Sequence, residues 1–155
     1  MSNASGRMIP ALTPTTEFFW TGGADGRLRI LRCSKCSRYT HPPGPVCRWC
    51  LSSEVTPTEV SGRGTVYTFT ENRQPWSERL TEPYVIAIVE LVEQAGLRIL
   101  TNLVDCAPAD VSIGMPVEVT FEPADDVFLP FFRPIVPPLL SADAAAGILN
   151  GRVGR

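Results

Sequence analysis

The sequence predicts a mainly β protein: a short N-terminal helix, a small cysteine-rich ribbon, then a closed barrel of five short strands. Three observations carry that prediction. Fifteen prolines and twelve glycines in 155 residues favour short strands and turns over long helices. Four of the five cysteines fall in one run, CSKCSRYTHPPGPVCRWC, from Cys33 to Cys50. From Gly64 onward, β-rich segments separated by turn residues follow one another closely. With 44% hydrophobic and 19% charged residues, the chain is apolar enough to bury a core.

The elements follow in order. Residues 1–26 form an N-terminal segment whose first twelve residues carry no periodic pattern. In TPTTEFFWTGG, Thr15 or Thr16 is placed to cap a short helix, with Glu17 in its electropositive first turn. Phe18, Phe19 and Trp20 follow, and Gly22-Gly23 is expected to stop the helix. Residues 27–61 make the ribbon. GRLRILRC alternates Leu28, Ile30 and Arg32 against Arg29 and Leu31, and reads as a strand entering the first cysteine pair. SSEVTPTEVSGRG after the second pair is the return strand. Residues 62–136 hold five strands: TVYTFTEN, YVIAIVELVE, GLRILTNLVD, MPVEVTFEP and VFLPFFRPIV.

The second of these is apolar on both faces, as a buried central strand would be. It turns into the third at Gln94 to Gly96. PADVSIG, between the third and fourth strands, is expected to form one helical turn. In the fourth, Val117, Val119 and Phe121 alternate with Glu118 and Thr120. The last contains Pro130 and Pro134, which confine it to an edge or to bulges. Five such strands predict a small barrel of the OB type, with a sandwich as the competing arrangement. Residues 137–155 are a tail containing SADAAAGILNG.

The cysteines form two C-x-x-C pairs, Cys33 with Cys36 and Cys47 with Cys50. Each pair can wrap its backbone so that both sulfurs face one point, and two such knuckles make a tetrahedral cage. Four thiolates are a preferred set for structural zinc. The same cage also takes iron, and without metal the thiols can pair as disulfides. Zn2+ on four thiolates carries a formal charge of −2, which Arg32, Lys35, Arg38 and Arg48 can offset. A closed four-ligand site leaves no position for substrate, so the metal staples a ribbon too small to hold a core alone. His41 reads as a surface loop residue.

Several chemistries are excluded. One histidine, inside the metal loop, cannot run a Ser-His-Asp or Cys-His site from that position. Cys106 has no basic sequence neighbour to activate it and reads as a small, half-buried residue. GGADG lacks the helix that a phosphate-binding loop requires and reads as a turn. The net charge of −2 argues against a dedicated nucleic-acid binder. No apolar run approaches the roughly 20 residues of a membrane helix. The N-terminus has no hydrophobic signal core, and tight cysteine spacing suits a reducing compartment. The expected location is the cytoplasm.

The order FFW, GRLRILRC, the cysteine pairs around HPPGPVC, SGRGTVYTFT, YVIAIVEL, IGMPVEVTF and LPFFRP resembles a known family. It is that of rubredoxin-like zinc-ribbon plus OB-fold proteins called DUF35, proposed to bind acyl-CoA. The resemblance covers roughly residues 17–135, and the tail lies outside it. It implies Cys33, Cys36, Cys47 and Cys50 as zinc ligands. It also implies a non-catalytic accessory subunit in a hetero-oligomer with a thiolase-like enzyme: a thiolase, an aldolase or an acyltransferase acting on acyl-CoA or related acyl substrates. The partner would supply the catalytic groups, and this chain would stabilise it and help shape the acyl or CoA site.

Such a site needs apolar walls for the acyl chain and cations for the phosphates. The candidates are Phe18, Phe19 and Trp20 beside the ribbon, Arg73, Trp76 and Arg79 in NRQPWSERL, and Phe131, Phe132 and Arg133 on the last strand. For each aromatic the competing reading is core packing, and for each arginine a solvated surface charge. The alternative function is a freestanding OB-fold module for single-stranded nucleic acid, for which 16 acids against 14 bases is a poor balance.

Overall fold

The computed structural model describes residues 8–75 and 81–135, and shows a mainly β chain with the expected sequence of elements. Helix α1 spans Glu17–Thr21. Thr16 sits at its N-cap position but makes no side-chain cap. Its hydroxyl instead lies 2.8 Å from that of Thr13, within the turn that leads into the helix. Gly22-Gly23 does not end the helical path. The chain continues as a 3₁₀ turn, Gly22–Asp25, and Gly26 stops it at φ 74° by donating to the carbonyls of Gly22 and Gly23. Gly23 is needed for a different reason. A side-chain carbon there would stand 2.3 Å from Phe128 Cβ, so only glycine lets the turn lie against the barrel.

Strands β1 (Arg29–Cys33), β2 (Tyr39–Thr40) and β3 (Val55–Glu59) form an antiparallel ribbon in the order β2-β1-β3. Five further strands close a barrel: β4 (Arg63–Asn72), β5 (Tyr84–Leu91), β6 (Arg98–Leu103), β7 (Pro116–Ala124) and β8 (Val127–Pro134). Their order around the barrel is β4-β5-β6-β8-β7, with only β6 and β8 parallel. That is the five-stranded OB arrangement, and the sandwich is set aside. The turn in PADVSIG is the short 3₁₀ segment Pro108–Asp110.

The barrel core takes alternate residues of each strand. Val85, Ala87, Val89 and Leu91 of β5 point inward with Ile99, Leu103, Val117 and Phe132. Leu28, Ile30 and Phe19 join the same cluster, so the helix, the ribbon and the barrel share one core. Strand β4 has a bulge at Tyr67, between the pairs Val66–Val89 and Thr68–Ile88. The extra residue shifts the inward phase, so Val66 is buried and Phe69, three residues on, also packs on the core. The prolines of β8 do not put it at an edge. It pairs along its length with β7, while its pairing to β6 is reduced to Leu103 with Phe132. The Thr101 hydroxyl covers part of that gap by donating to the Pro130 carbonyl at 2.9 Å.

Gln94, in the β5–β6 turn, joins barrel to ribbon. Its side-chain oxygen accepts from the Tyr39 N–H at 2.8 Å, and its amide donates to the Tyr39 carbonyl at 3.3 Å. No described helix is long and apolar enough to cross a membrane.

Candidate functional site

Among the described residues two regions carry chemistry: the cysteine cluster at the tip of the ribbon, and an apolar groove between the ribbon and the barrel.

The four Sγ atoms all lie within 4.8 Å of one another. Cys33 to Cys50 and Cys36 to Cys47 are each 3.6 Å, far beyond a disulfide bond of about 2.05 Å. A tetrahedral site with metal–sulfur bonds of about 2.3 Å has sulfur–sulfur edges of about 3.8 Å, so the cluster has the size of a tetrathiolate metal site. The knuckles are built alike. The Cys33 N–H donates to the Arg38 carbonyl at 2.9 Å, and the Cys47 N–H to the Ser52 carbonyl at 2.8 Å. The residue after each pair, Ser37 or Leu51, takes a left-handed φ of 60° or 59°.

Backbone N–H groups also face the sulfurs. That of Trp49 reaches Cys47 Sγ at 3.4 Å. Those of Cys36 and Lys35 hold the Cys33 thiol below its ordinary range. At Cys47, burial works to raise the thiol, but the N–H groups of Cys50 and Trp49 prevail and bring it down to about 6. At Cys50 the Ser52 N–H acts to lower it, but burial and the sulfurs of Cys36, Cys33 and Cys47 push it up to about 12. The clustered sulfurs thus resist ionisation of Cys50, which is the electrostatic demand that a bound cation meets.

The groove encloses about 790 Å³. One wall is the outer face of β5 and β6, with Ile86, Ile88 and Leu100. The other is Phe19, Trp20, His41 and Pro42, and Leu129 and Phe131 of β8 close one side. Strand β5 is therefore central but buried on one face only, and its second apolar face is the groove wall. His41 is not a surface loop residue: its ring lies 5.0 Å from that of Phe19, on the groove. Burial lowers its pKa to about 4, so it is neutral near pH 7.

This has a testable consequence. The folded-state pKa is depressed below the roughly 6.5 of an unfolded histidine. Between pH 6.5 and 4 the unfolded chain therefore binds a proton that the folded chain refuses. Stability falls as pH falls through that window. Replacing His41 by phenylalanine is expected to remove about 1 kcal/mol of the loss between pH 7 and 5.5. Urea unfolding of both proteins at the two pH values measures it, and equal losses would contradict the assignment.

The candidates read from the sequence scatter over several settings. Phe18 is half-buried against the core, Phe19 is buried and Trp20 is half-buried on the groove wall. Phe19 meets Trp20 edge-on at 4.8 Å. Phe131 reaches the groove, but Phe132 next to it is wholly buried in the barrel core, which removes it from the surface set. Arg73 pairs with Glu71 at 2.8 Å and Arg133 with Glu118 at 3.0 Å, and neither lines the groove. Trp76 and Arg79 lie outside the described residues. Cys106 is half-buried, and burial together with Asp110 and Asp105 raises its pKa, the reverse of activation.

Two family models cover residues 20–122 between them. The ribbon matches the ChsH2 rubredoxin-like zinc ribbon domain over residues 20–56, and the barrel matches the ChsH2 C-terminal OB-fold domain over residues 57–122. A solved Ltp2-ChsH2(DUF35) aldolase contains a chain that is 40% identical and superposes with a TM-score of 0.74, covering 83% of this chain and all of that one.

This chain belongs to the ChsH2 (DUF35) family.

Other relatives of the ChsH2 family carry different labels. A probable enoyl-CoA hydratase alpha subunit of Thermomonospora curvata is 41% identical over 132 residues, 84% of this chain but 41% of that protein. The benzoylsuccinyl-CoA thiolase subunit BbsA of Thauera aromatica is 31% identical over 127 residues, 77% of this chain and 85% of the other. The chain thus spans about two fifths of the hydratase subunit and most of the thiolase subunit.

Proposed function

We propose that this chain is a non-catalytic scaffold subunit of an Ltp2-type aldolase or thiolase complex acting on acyl-CoA substrates. Its four cysteines hold a structural zinc ion, and its groove contributes an apolar wall to the partner contact and the acyl site. The observation that carries this reading is the groove itself. A barrel whose interior is filled by side chains leaves Ile86, Ile88 and Leu100 facing outward, and Leu100 is 71% exposed. Concave apolar surface of this kind is what a partner or an acyl chain covers. The names of the relatives, an aldolase, a thiolase subunit and a hydratase subunit, support the same class.

The groove suits single-stranded nucleic acid poorly. Among the described residues Arg98 is the one arginine on its wall, and that side chain already donates to Glu90 at 2.8 Å. Nucleic-acid grooves pair stacking rings with free cations.

Co-expression with the Ltp2-type chain of the same organism tests the proposal. The expected result is a complex that survives gel filtration at high salt. Aldol cleavage or thiolysis of an acyl-CoA should require both chains. Full activity of the partner alone would overturn it.

A further inference from the structure

The second cysteine knuckle, loop 46–51, holds apolar side chains out in solvent. Val46, Trp49 and Leu51 are 42%, 45% and 76% exposed, and none of them lines the groove. Leu51 is the most informative. It holds a left-handed φ of 59°, a conformation that suits glycine and is unfavourable for a branched apolar residue. Its N–H donates to the Cys47 carbonyl at 2.9 Å, a bond that glycine would make equally well. The knuckle therefore gains nothing from a leucine side chain that strains the backbone and stands in water. Strain kept at an exposed site points to a use outside the chain.

The surroundings define what that use can be. From Arg32 to Ser53 the chain has four cations, Arg32, Lys35, Arg38 and Arg48, and no acid. The rest of the chain has 16 acids and 14 − 4 = 10 bases. Even with a divalent metal on four thiolates, formally −2, the tip stays positive on an otherwise acidic protein. None of these four cations forms a salt bridge among the described residues. Arg38 and Arg48 lie over the Trp49 ring at 4.8 and 5.4 Å, and the Trp49 indole N–H donates to the Tyr39 carbonyl at 3.0 Å. The ring is thus fixed before any partner arrives, and rigid aromatic and arginine side chains are the usual anchors of protein contacts.

We infer that the second knuckle is a protein-docking tip, with Leu51 and Trp49 as its apolar anchors and Arg38, Arg48 and Lys35 as its charged rim. It fits an apolar socket with an acidic rim on the Ltp2-type chain. The inference rests on the scaffold reading above and gives the complex a second contact, separate from the groove. A nucleic-acid partner fits less well. The Trp49 ring already carries two guanidinium groups, and Leu51 and Val46 offer nothing that a phosphate backbone uses.

The test uses the metal-loaded full chain and the purified Ltp2-type chain, with affinity measured by calorimetry and each melting temperature recorded. Leu51→Gly is expected to melt within about 2 °C of the parent or above it, because glycine relieves the strained φ. It is nonetheless expected to bind about tenfold more weakly. Arg48→Glu should weaken binding by a similar factor, and more so at low salt. If the parent binds and both variants bind equally well, the docking tip is wrong while the scaffold reading stands. If the parent itself does not bind, both fall. If a single-stranded oligonucleotide displaces the Ltp2-type chain and its binding ignores Leu51→Gly, the tip serves nucleic acid and the inference is overturned.

Discussion

Replacing Cys47 by serine is expected to abolish metal binding and collapse the ribbon. Cys47 is fully buried, and the N–H groups of Cys50 and Trp49 bring its pKa down to about 6. A hydroxyl in that place does not ionise and leaves three thiolates with an incomplete cage. Structural zinc contributes about 10–16 kcal/mol in small finger peptides, as much as the entire stability of an ordinary domain, about 5–15 kcal/mol. The damage should not stop at the ribbon, because Leu28 and Ile30 are part of the barrel's own core. Metal content by elemental analysis and unfolding by circular dichroism measure both effects. The parent should carry one metal per chain and the variant none, with an unfolding midpoint far below the parent's. Cys106→Ser, outside the cluster, should change neither. A Cys47→Ser protein that kept its metal and its midpoint would refute the four-thiolate site.

Phe132→Ala is expected to cost about 3–5 kcal/mol, the range for emptying a phenylalanine site in a packed core. The ring is fully buried and its backbone forms the one registered pair between β8 and β6, so it sits where the barrel closes. Phe131→Ala should act differently. That side chain belongs to a smaller cluster with Ala124, Val127 and Leu129, on the groove side. Its loss should cost less stability and widen the groove. Denaturant unfolding of the two variants side by side separates the cases. Equal costs would mean that the two rings share one environment, contrary to the alternation of β8.

That pair of neighbours also shows how far the sequence could be read. FF in VFLPFFRP offers two aromatic rings, and a strand sends them to opposite faces. Which ring faces inward depends on the register with β7 and β6, and no local pattern contains that. The cysteine cluster was legible because metal-ligand spacing is a local property. The barrel was legible as five β-rich segments.

The groove was only half legible. YVIAIVEL announces apolar residues on both faces, but burial between two layers and a bare outer face give the same pattern. Only the position of the ribbon and the helix distinguishes them. His41 and Pro42 could not be assigned to that wall from sequence, because the contact with Phe19 joins positions 22 residues apart. The bulge at Tyr67 was hidden for a related reason. Val66 and Phe69 both face inward, a spacing of three that strict alternation does not allow.

The clasp between Gln94 and Tyr39 has a consequence for which substitutions this joint tolerates. Gln94 grips main-chain atoms, which every residue at position 39 except proline supplies in full. The clasp itself is therefore indifferent to most side chains at position 39 and sensitive to the one at position 94, while the Tyr39 ring packs against the shared core. Changes on the ribbon's exposed face leave this joint intact, so long as the amide at position 94 and the shared core of Phe19, Leu28 and Ile30 are kept.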